Sequence, residues 1–396
     1  MTKRIKALQR NKRVLFWTKL LIEIKALNAI VTLFYLQRSL ELSQLFYLLA
    51  IWSVVTVLFE IPSGYVADVI GRKKTIMFGI LLHIVSVSIL FIADNFSLFA
   101  LSVALQSMAY TAFSGTDTAL LYDSLREIKD TKSSLRVSGK YFSSNRLAKI
   151  FIPALGAFIA KDLFNWQFNI LIFIDLLGGT VSLAVASLLT EPNRKVDISE
   201  REEGLFKDSF KLFRKDTVAR NFAINKSLVF ISTLVFWRLY QPILKNAGLT
   251  VVFLGVFYAT FQLITFVINW NFDKLEKKLS KDQIMVYPIV LGIVALFAFL
   301  VFDNKWILAL ASVPILVIGT VRDPIFFEQI NLRIKSFNRA TTTSVLNIIK
   351  SFFDIPILLL VGWLSKFGTN YGIIIGIVLF VIALVFFSFK KKDYLT

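Results

Sequence analysis

Apolar residues run along the chain in blocks of about twenty, separated by short polar stretches that carry most of the charge. An α-helix rises ~1.5 Å per residue, so about 20 residues cross the ~30 Å hydrocarbon core of a bilayer. Windows of that size fall at 14–36, 43–66, 75–93, 97–124, 140–160, 166–189, 220–244, 250–270, 284–302, 305–330, 342–364 and 370–389. The pattern predicts an all-α integral membrane protein with twelve transmembrane helices and both ends of the chain on one side. A basic start (Lys3, Arg4, Lys6, Arg10, Lys12, Arg13) leads into an apolar run too long for a secretory signal and without a small-residue cleavage site. The first span is therefore expected to be retained.

The distribution of Lys and Arg sets the orientation. The N-terminus and the loops on its side hold 32 of them, including Lys390, Lys391 and Lys392; the other side holds five, Arg38, Lys161, Lys245, Lys305 and Lys366. Basic residues accumulate in cytoplasmic loops, so both termini of a multi-pass cell-membrane protein are expected in the cytoplasm. The longest polar segment joins spans 6 and 7. It divides the chain into a six-helix bundle over 1–190, a cytoplasmic linker over 191–219 and a second six-helix bundle over 220–396. Within the linker, "LFKDSFKLFRK" sets Leu205, Phe206, Phe210, Leu212 and Phe213 among lysines and reads as an amphipathic surface helix.

The halves echo each other. Gly64-x3-Asp68-x3-Arg72-Lys73 follows span 2 and Asn269-x3-Asp273-x3-Lys277-Lys278 follows span 8, with the same acid-to-base spacing. Recurrence at the equivalent loop is what a duplicated six-helix unit would leave.

Composition narrows the function. Hydrophobic residues make up 56% of the 396, including 39 Phe, and mean hydropathy is +0.68. A net charge of +19 then belongs to the loops rather than to a nucleic-acid surface. The absence of cysteine and the single histidine, His83, exclude thiolate chemistry and make a zinc site untenable. "FEIPSGYVADVIGRKKT", 59–75, has no glycine five positions before Gly71 and so is not a phosphate loop. No nucleotide, cofactor, metal or catalytic cluster is expected, and the toolkit for a membrane enzyme is thin.

That stretch resembles the loop 2–3 signature of the major facilitator superfamily, matched here by Gly64, Asp68, Gly71, Arg72, Lys73 and Lys74. The lead-in Glu60-x-Pro62 and "SGTDTALLYDSL" at the end of span 4 are similar to a bacterial, drug-efflux-like branch. The resemblance implies two pseudo-symmetric six-helix bundles in a monomer that moves a small molecule by alternating access. It also implies a cytoplasmic gate, with Asp68 facing the start of helix 11 at Thr341–Ser344 and Arg72 pairing with Asp123. Gly64 would allow close helix approach and Gly71 a tight turn. The basic residues alone would also serve as topology markers. Two departures weigh against simple proton antiport: Val103 stands where the family places an arginine three residues before Gln106, and the span 5 motif is reduced to "IPALGA", 152–157.

Ionisable residues inside a membrane are costly unless paired or facing water. Lys19 and Glu23 share a face of span 1, with Asn28 deeper; Asp117 on span 4 and Arg146 on span 5 lie at similar depth. Arg146 could supply the missing arginine or form a static brace with Asp117. In the second half Arg238 and Gln241, Arg322 and Asp323, and Lys350 with Asp354 are the candidates, and Pro242, Pro324 and Pro356 beside them predict kinked or broken helices. His83 and Asp175 fall on peripheral spans and read as structural. The resemblance implies export of a small amphipathic molecule, with coupling to protons through Glu23 or Asp117, the gradient as the driving force and lipid as the surrounding partner. Proton-coupled uptake is the alternative, and a non-transporting scaffold or enzyme a weaker one.

Overall fold

The structure is a computed structural model. It describes residues 3–130, 134–193, 213–333, 339–387, 389 and 393–394, without the side chains of 134–136, 138–140, 142–147, 331 and 339–345. The elements formed by these residues are all helical. The elements are α1 (Lys3–Ile22), a 3₁₀ turn (Ala26–Ile30), α2 (Val31–Gln37), α3 (Leu42–Val69), α4 (Arg72–Ile89), α5 (Phe96–Phe113), α6 (Thr116–Glu127), α7 (Ser134–Ile159) and α8 (Asn165–Ser187). The second half adds α9 (Thr217–Asn246), α10 (Val251–Trp270), α11 (Phe272–Lys278), α12 (Lys281–Val301), α13 (Lys305–Arg333), α14 (Arg339–Leu364) and α15 (Thr369–Val385). They build twelve spans, the first from α1, the 3₁₀ turn and α2, and the fourth from α5 and α6. Eight stretches are long and apolar enough to cross a bilayer outright. Except for 213–215, which are helical, the amphipathic linker helix lies outside the described residues.

Helix starts follow capping chemistry. Asn95 accepts the Leu98 N–H at 3.1 Å, Thr250 that of Phe253 at 3.2 Å, and Asp216 those of Val218 and Ala219 at 2.9 and 3.0 Å. Each fills donors that the first turn of a helix leaves open.

By contact the chain divides into two units, 1–39 with 51–197, and 40–50 with 198–396. In the first, α1 packs on α7 and α8, and α4 on α5 and α8; Leu15, Ile76, Ile80, Leu120 and Tyr141 sit in its core. In the second, α9 packs on α13, α14 and α15, with Phe222, Ile284, Ile325 and Phe326 at the centre.

The breaks are not at the prolines. Pro242, Pro324 and Pro356 lie inside α9, α13 and α14, which run through them; of the kinked or broken helices expected there, none is broken. A proline removes one backbone bond, and packed neighbours in a span accommodate it. The interruptions fall instead at 23–25 in the first span and at Ser114–Gly115 in the fourth, where Gly115 has φ +77°. At the first, Asp175 of α8 accepts the Ala26 N–H at 2.6 Å and also binds the Leu27 N–H. Two glycines make room for the irregular backbone: a Cβ on Gly156 would overlap the Ala26 carbonyl oxygen, and one on Gly178 would stand 2.8 Å from that of Leu21. Asp175 is structural in a specific sense, because it caps a break inside the membrane.

Candidate functional site

The first-half break and the fourth-span break bring five polar side chains together. Lys19 Nζ on α1 lies 3.7 Å from Glu23 Oε1 and 3.7 Å from Asp117 Oδ2, and 4.7 Å from the centre of the Phe113 ring. Lys149 Nζ on α7 lies 3.8 Å from Glu23 Oε2. Asp117, 4% exposed, opens α6 just after Gly115, where the helix N-terminus favours an anion. It accepts the Thr118 N–H at 2.6 Å and the Tyr141 hydroxyl hydrogen.

Sequence reasoning placed Lys19, Glu23 and Asp117 as candidates and missed Tyr141 and Lys149, which reach them from α7. Lys149 follows Ala148 in "RLAKIFIPALG", and its charge inside a predicted span was the signal. Arg146 also lies on α7, with its side chain outside the described residues. Asn28 sits partly buried in the 3₁₀ turn. His83 meets Gln106 at 2.9 Å, tying α4 to α5.

Arg72 Nη1 lies 2.5 Å from Asp123 Oδ2, and Arg72 Nη2 lies 3.9 Å from Oδ1 of the more exposed Asp68. A residue not singled out in the sequence completes the loop: the Glu191 carboxylate accepts the Arg72 N–H at 2.9 Å and the Lys73 N–H at 2.7 Å, capping α4. Gly71 has φ +112°, and a Cβ there would stand 3.3 Å from the Glu191 carboxyl carbon. Gly71→Ala should therefore cost about 1–3 kcal/mol through the left-handed backbone, read as a drop in apparent melting temperature. Gly64 differs: a Cβ there meets nothing within 4 Å among the described residues. The side chains of Thr341–Ser344 lie outside the described residues.

The Arg4 guanidinium binds the Glu127 carboxylate at 2.6 and 3.1 Å, joining the start of α1 to the end of α6. In the second half the equivalent loop is tied by Lys281 to Glu328 at 2.7 Å. Glu328 follows Asp123 by the same 205 positions that separate Asp273 from Asp68.

The second-half candidates separate by role. Lys226 Nζ lies 3.0 Å from Asp323 and about 4 Å from the ring centres of Phe326 and Phe327. Lys350 Nζ lies 2.8 Å from Asp354 and 4.0 Å from the Phe230 ring. Arg322, expected at a cavity, is 4% exposed and donates to the Met285 carbonyl at 2.9 Å and to Asn225; it ties α13 to α12 and α9. Gln241 is buried beside Tyr240 on α9, and Arg238 is half-buried on the same helix.

A family model for the Major Facilitator Superfamily matches residues 21–353. Among curated relatives, the quinolone resistance protein NorA of Staphylococcus aureus is 21% identical over 282 residues, 69% of each chain. An uncharacterized transporter of Buchnera aphidicola is 22% identical over 56% of this chain, which spans 50% of that protein. The inner membrane transport protein YajR of Escherichia coli is 26% identical over 41% of this chain and 34% of its own length. Among solved structures, the nucleoside transporter NupG superposes with a TM-score of 0.73 at 14% identity, covering 98% of both chains. A bacterial homolog of the human lysosomal transporter Spinster, inward-facing and occupied, gives 0.74 at 14% identity over the full length of both. The similarity to these structures is one of fold, and the family match extends over most of the sequence: the chain belongs to the major facilitator superfamily.

Proposed function

We propose that this protein is a secondary transporter that exports a small amphipathic molecule by alternating access, coupled to protons through the first-half cluster. The observation that carries the reading is Asp117: a carboxylate buried at a helix break, held between Tyr141 and Lys19, with Lys19 shared by Glu23. Ionisable groups in this setting mark ion and substrate paths. A proton arriving on Asp117 or Glu23 releases Lys19 to the other carboxylate, so the shared lysine links the two. Lys19 and Lys149 then do the work of the arginine missing at Val103, with Arg146 a further cation on α7. The Asp68–Arg72–Asp123 contacts form the gate element, Gly71 and Lys73 holding the loop on Glu191. Arg238, Gln241, Asp323, Lys350 and Asp354 are assigned to the substrate path, and Arg322 to bracing. The S. aureus relative is a quinolone resistance protein, which supports export.

Cells expressing the protein should retain less of at least one dye from a panel of fluorescent amphipathic compounds, and a protonophore should abolish the difference. Equal retention with and without protonophore would contradict the proposal.

The orientation is tested separately. Cysteines introduced singly at Lys73, Ser199 and Lys278 of this Cys-free chain should resist a membrane-impermeant thiol reagent in intact cells, and those at Asn95 and Lys245 should react. The reverse pattern would place the termini outside.

A further inference from the structure

The ion pairs of the first-half cluster are long. Its three ion pairs stand at 3.7, 3.7 and 3.8 Å, whereas charge-assisted hydrogen bonds close to ~2.7–2.9 Å. In the second half the pairs of Lys226 and Lys350 stand at 3.0 and 2.8 Å. An ammonium has three donors; in the first half Lys19 reaches Glu23 and Asp117, and Lys149 reaches Glu23 alone, all at long range.

A third lysine adds to them. Lys25 occupies the break itself, at the N-cap of the 3₁₀ turn, and makes no ion pair or hydrogen bond from its side chain among the described residues. It acts electrostatically on Glu23, Lys149, His83 and Asp175. Asp175 gives its carboxylate to the Ala26 and Leu27 N–H groups, and His83 meets Gln106. Two ammonium groups thus lie within 4 Å of the Glu23 carboxylate, and a third, that of Lys25, two residues along the break, adds its charge to theirs. The Lys149 side chain is 36% exposed, and the Phe113 ring lies beside Lys19.

We propose that this cluster receives the carboxylate of a small amphipathic organic acid, with Lys25 and Lys149 as its charge partners and Phe113 beside its apolar body. The inference rests on the transport reading above and specifies its substrate class. An organic anion supplies a further acceptor to ammonium groups with donors to spare: Lys19 and Lys149 share Glu23, and Lys25 has no carboxylate at ion-pair distance among the described residues. An organic cation would add to the existing crowd of like charges, because both Glu23 and Asp117 already face an ammonium.

The test uses one ring system with three head groups: 2-naphthoate, 2-naphthylmethylammonium and 2-naphthalenemethanol, titrated by calorimetry into the purified protein. Only the naphthoate should bind saturably. Lys25→Met should weaken it about tenfold or more, the scale of one charge-assisted contact, and Lys25→Arg should restore it. If Lys25→Met does not fold, judged by size-exclusion chromatography, Lys149→Met carries the same expectation. No saturable binding of naphthoate, binding unchanged by the lysine substitutions, or tighter binding of the ammonium probe would each overturn the inference. The two readings fail separately in proteoliposomes. Lys25-dependent naphthoate binding without movement under an imposed pH gradient would leave the site standing and defeat transport. Gradient-driven movement of the ammonium probe would do the reverse.

Discussion

Asp117→Asn should fold, insert and yet lose proton-driven transport altogether. Asparagine keeps the size of the side chain: its single carbonyl oxygen can still accept the Thr118 N–H, its amide NH2 can donate to the Tyr141 hydroxyl once that hydroxyl turns, and the charge that faces Lys19 is removed. Truncation tests the stability side of the same contact. Asp117→Ala and Lys19→Ala each strand a buried charge or leave Tyr141 without its acceptor, which costs up to about 3–5 kcal/mol for a well-desolvated pair. The 3.7 Å separation and the 17% exposure of the Lys19 side chain place this pair toward the lower end. The double substitution should recover part of the lost apparent melting temperature, because no lone charge is left behind. Transport should not recover with it. A double mutant that exports at the wild-type rate would reduce the contact to a brace between α1 and α6.

The second large effect is structural. Gly156→Ala should lower the apparent melting temperature and the yield of folded protein, although alanine is the better helix former by ~0.8–1 kcal/mol. Helix propensity loses because the new methyl group would overlap the Ala26 carbonyl oxygen, with the carbonyl carbon at 2.8 Å. A backbone atom at a capped break has no rotamer into which it can retreat, and overpacking costs roughly 1–3 kcal/mol. Gly156→Val should be worse. Gly319→Ala is the control: it lies inside α13 with nothing within 4 Å of the added methyl, so propensity should win there. Equal behaviour of the two alanines would show that the close approach at the break is not tight.

The twelve spans were legible because a bilayer imposes one length and one composition on every crossing, and the windows at 220–244 and 305–330 match α9 and α13 to within a few residues. The acid at 68, the basic residues after Gly71 and the acid at 123 were legible as a pattern, since fixed spacing in one loop survives in a sequence. The breaks in spans 1 and 4 were not. They depend on Asp175, Gly156 and Gly178, which lie more than a hundred residues from Ala26 and approach it only when α7 and α8 pack on α1. Prolines drew attention because they change the backbone locally, and α9, α13 and α14 run through theirs. Glu191 was hidden for the same reason as Asp175. It read as the first residue of a polar linker, and its partners, the N–H groups of Arg72 and Lys73, are 118 or more positions away. Lys149 and Tyr141 were visible as residue types, and only the packing of α7 shows which carboxylates they meet.

The central claim is that protonation of the first-half cluster moves the molecule between two states. Spin labels on cysteines introduced at Arg126 and Lys277, both exposed in a chain without native cysteine, allow this to be measured by double electron–electron resonance in lipid nanodiscs. The account predicts two distances between the labels, with populations that shift as pH is lowered and that stop responding in Asp117→Asn. One distance at every pH, or a shift that persists unchanged in Asp117→Asn, would contradict it.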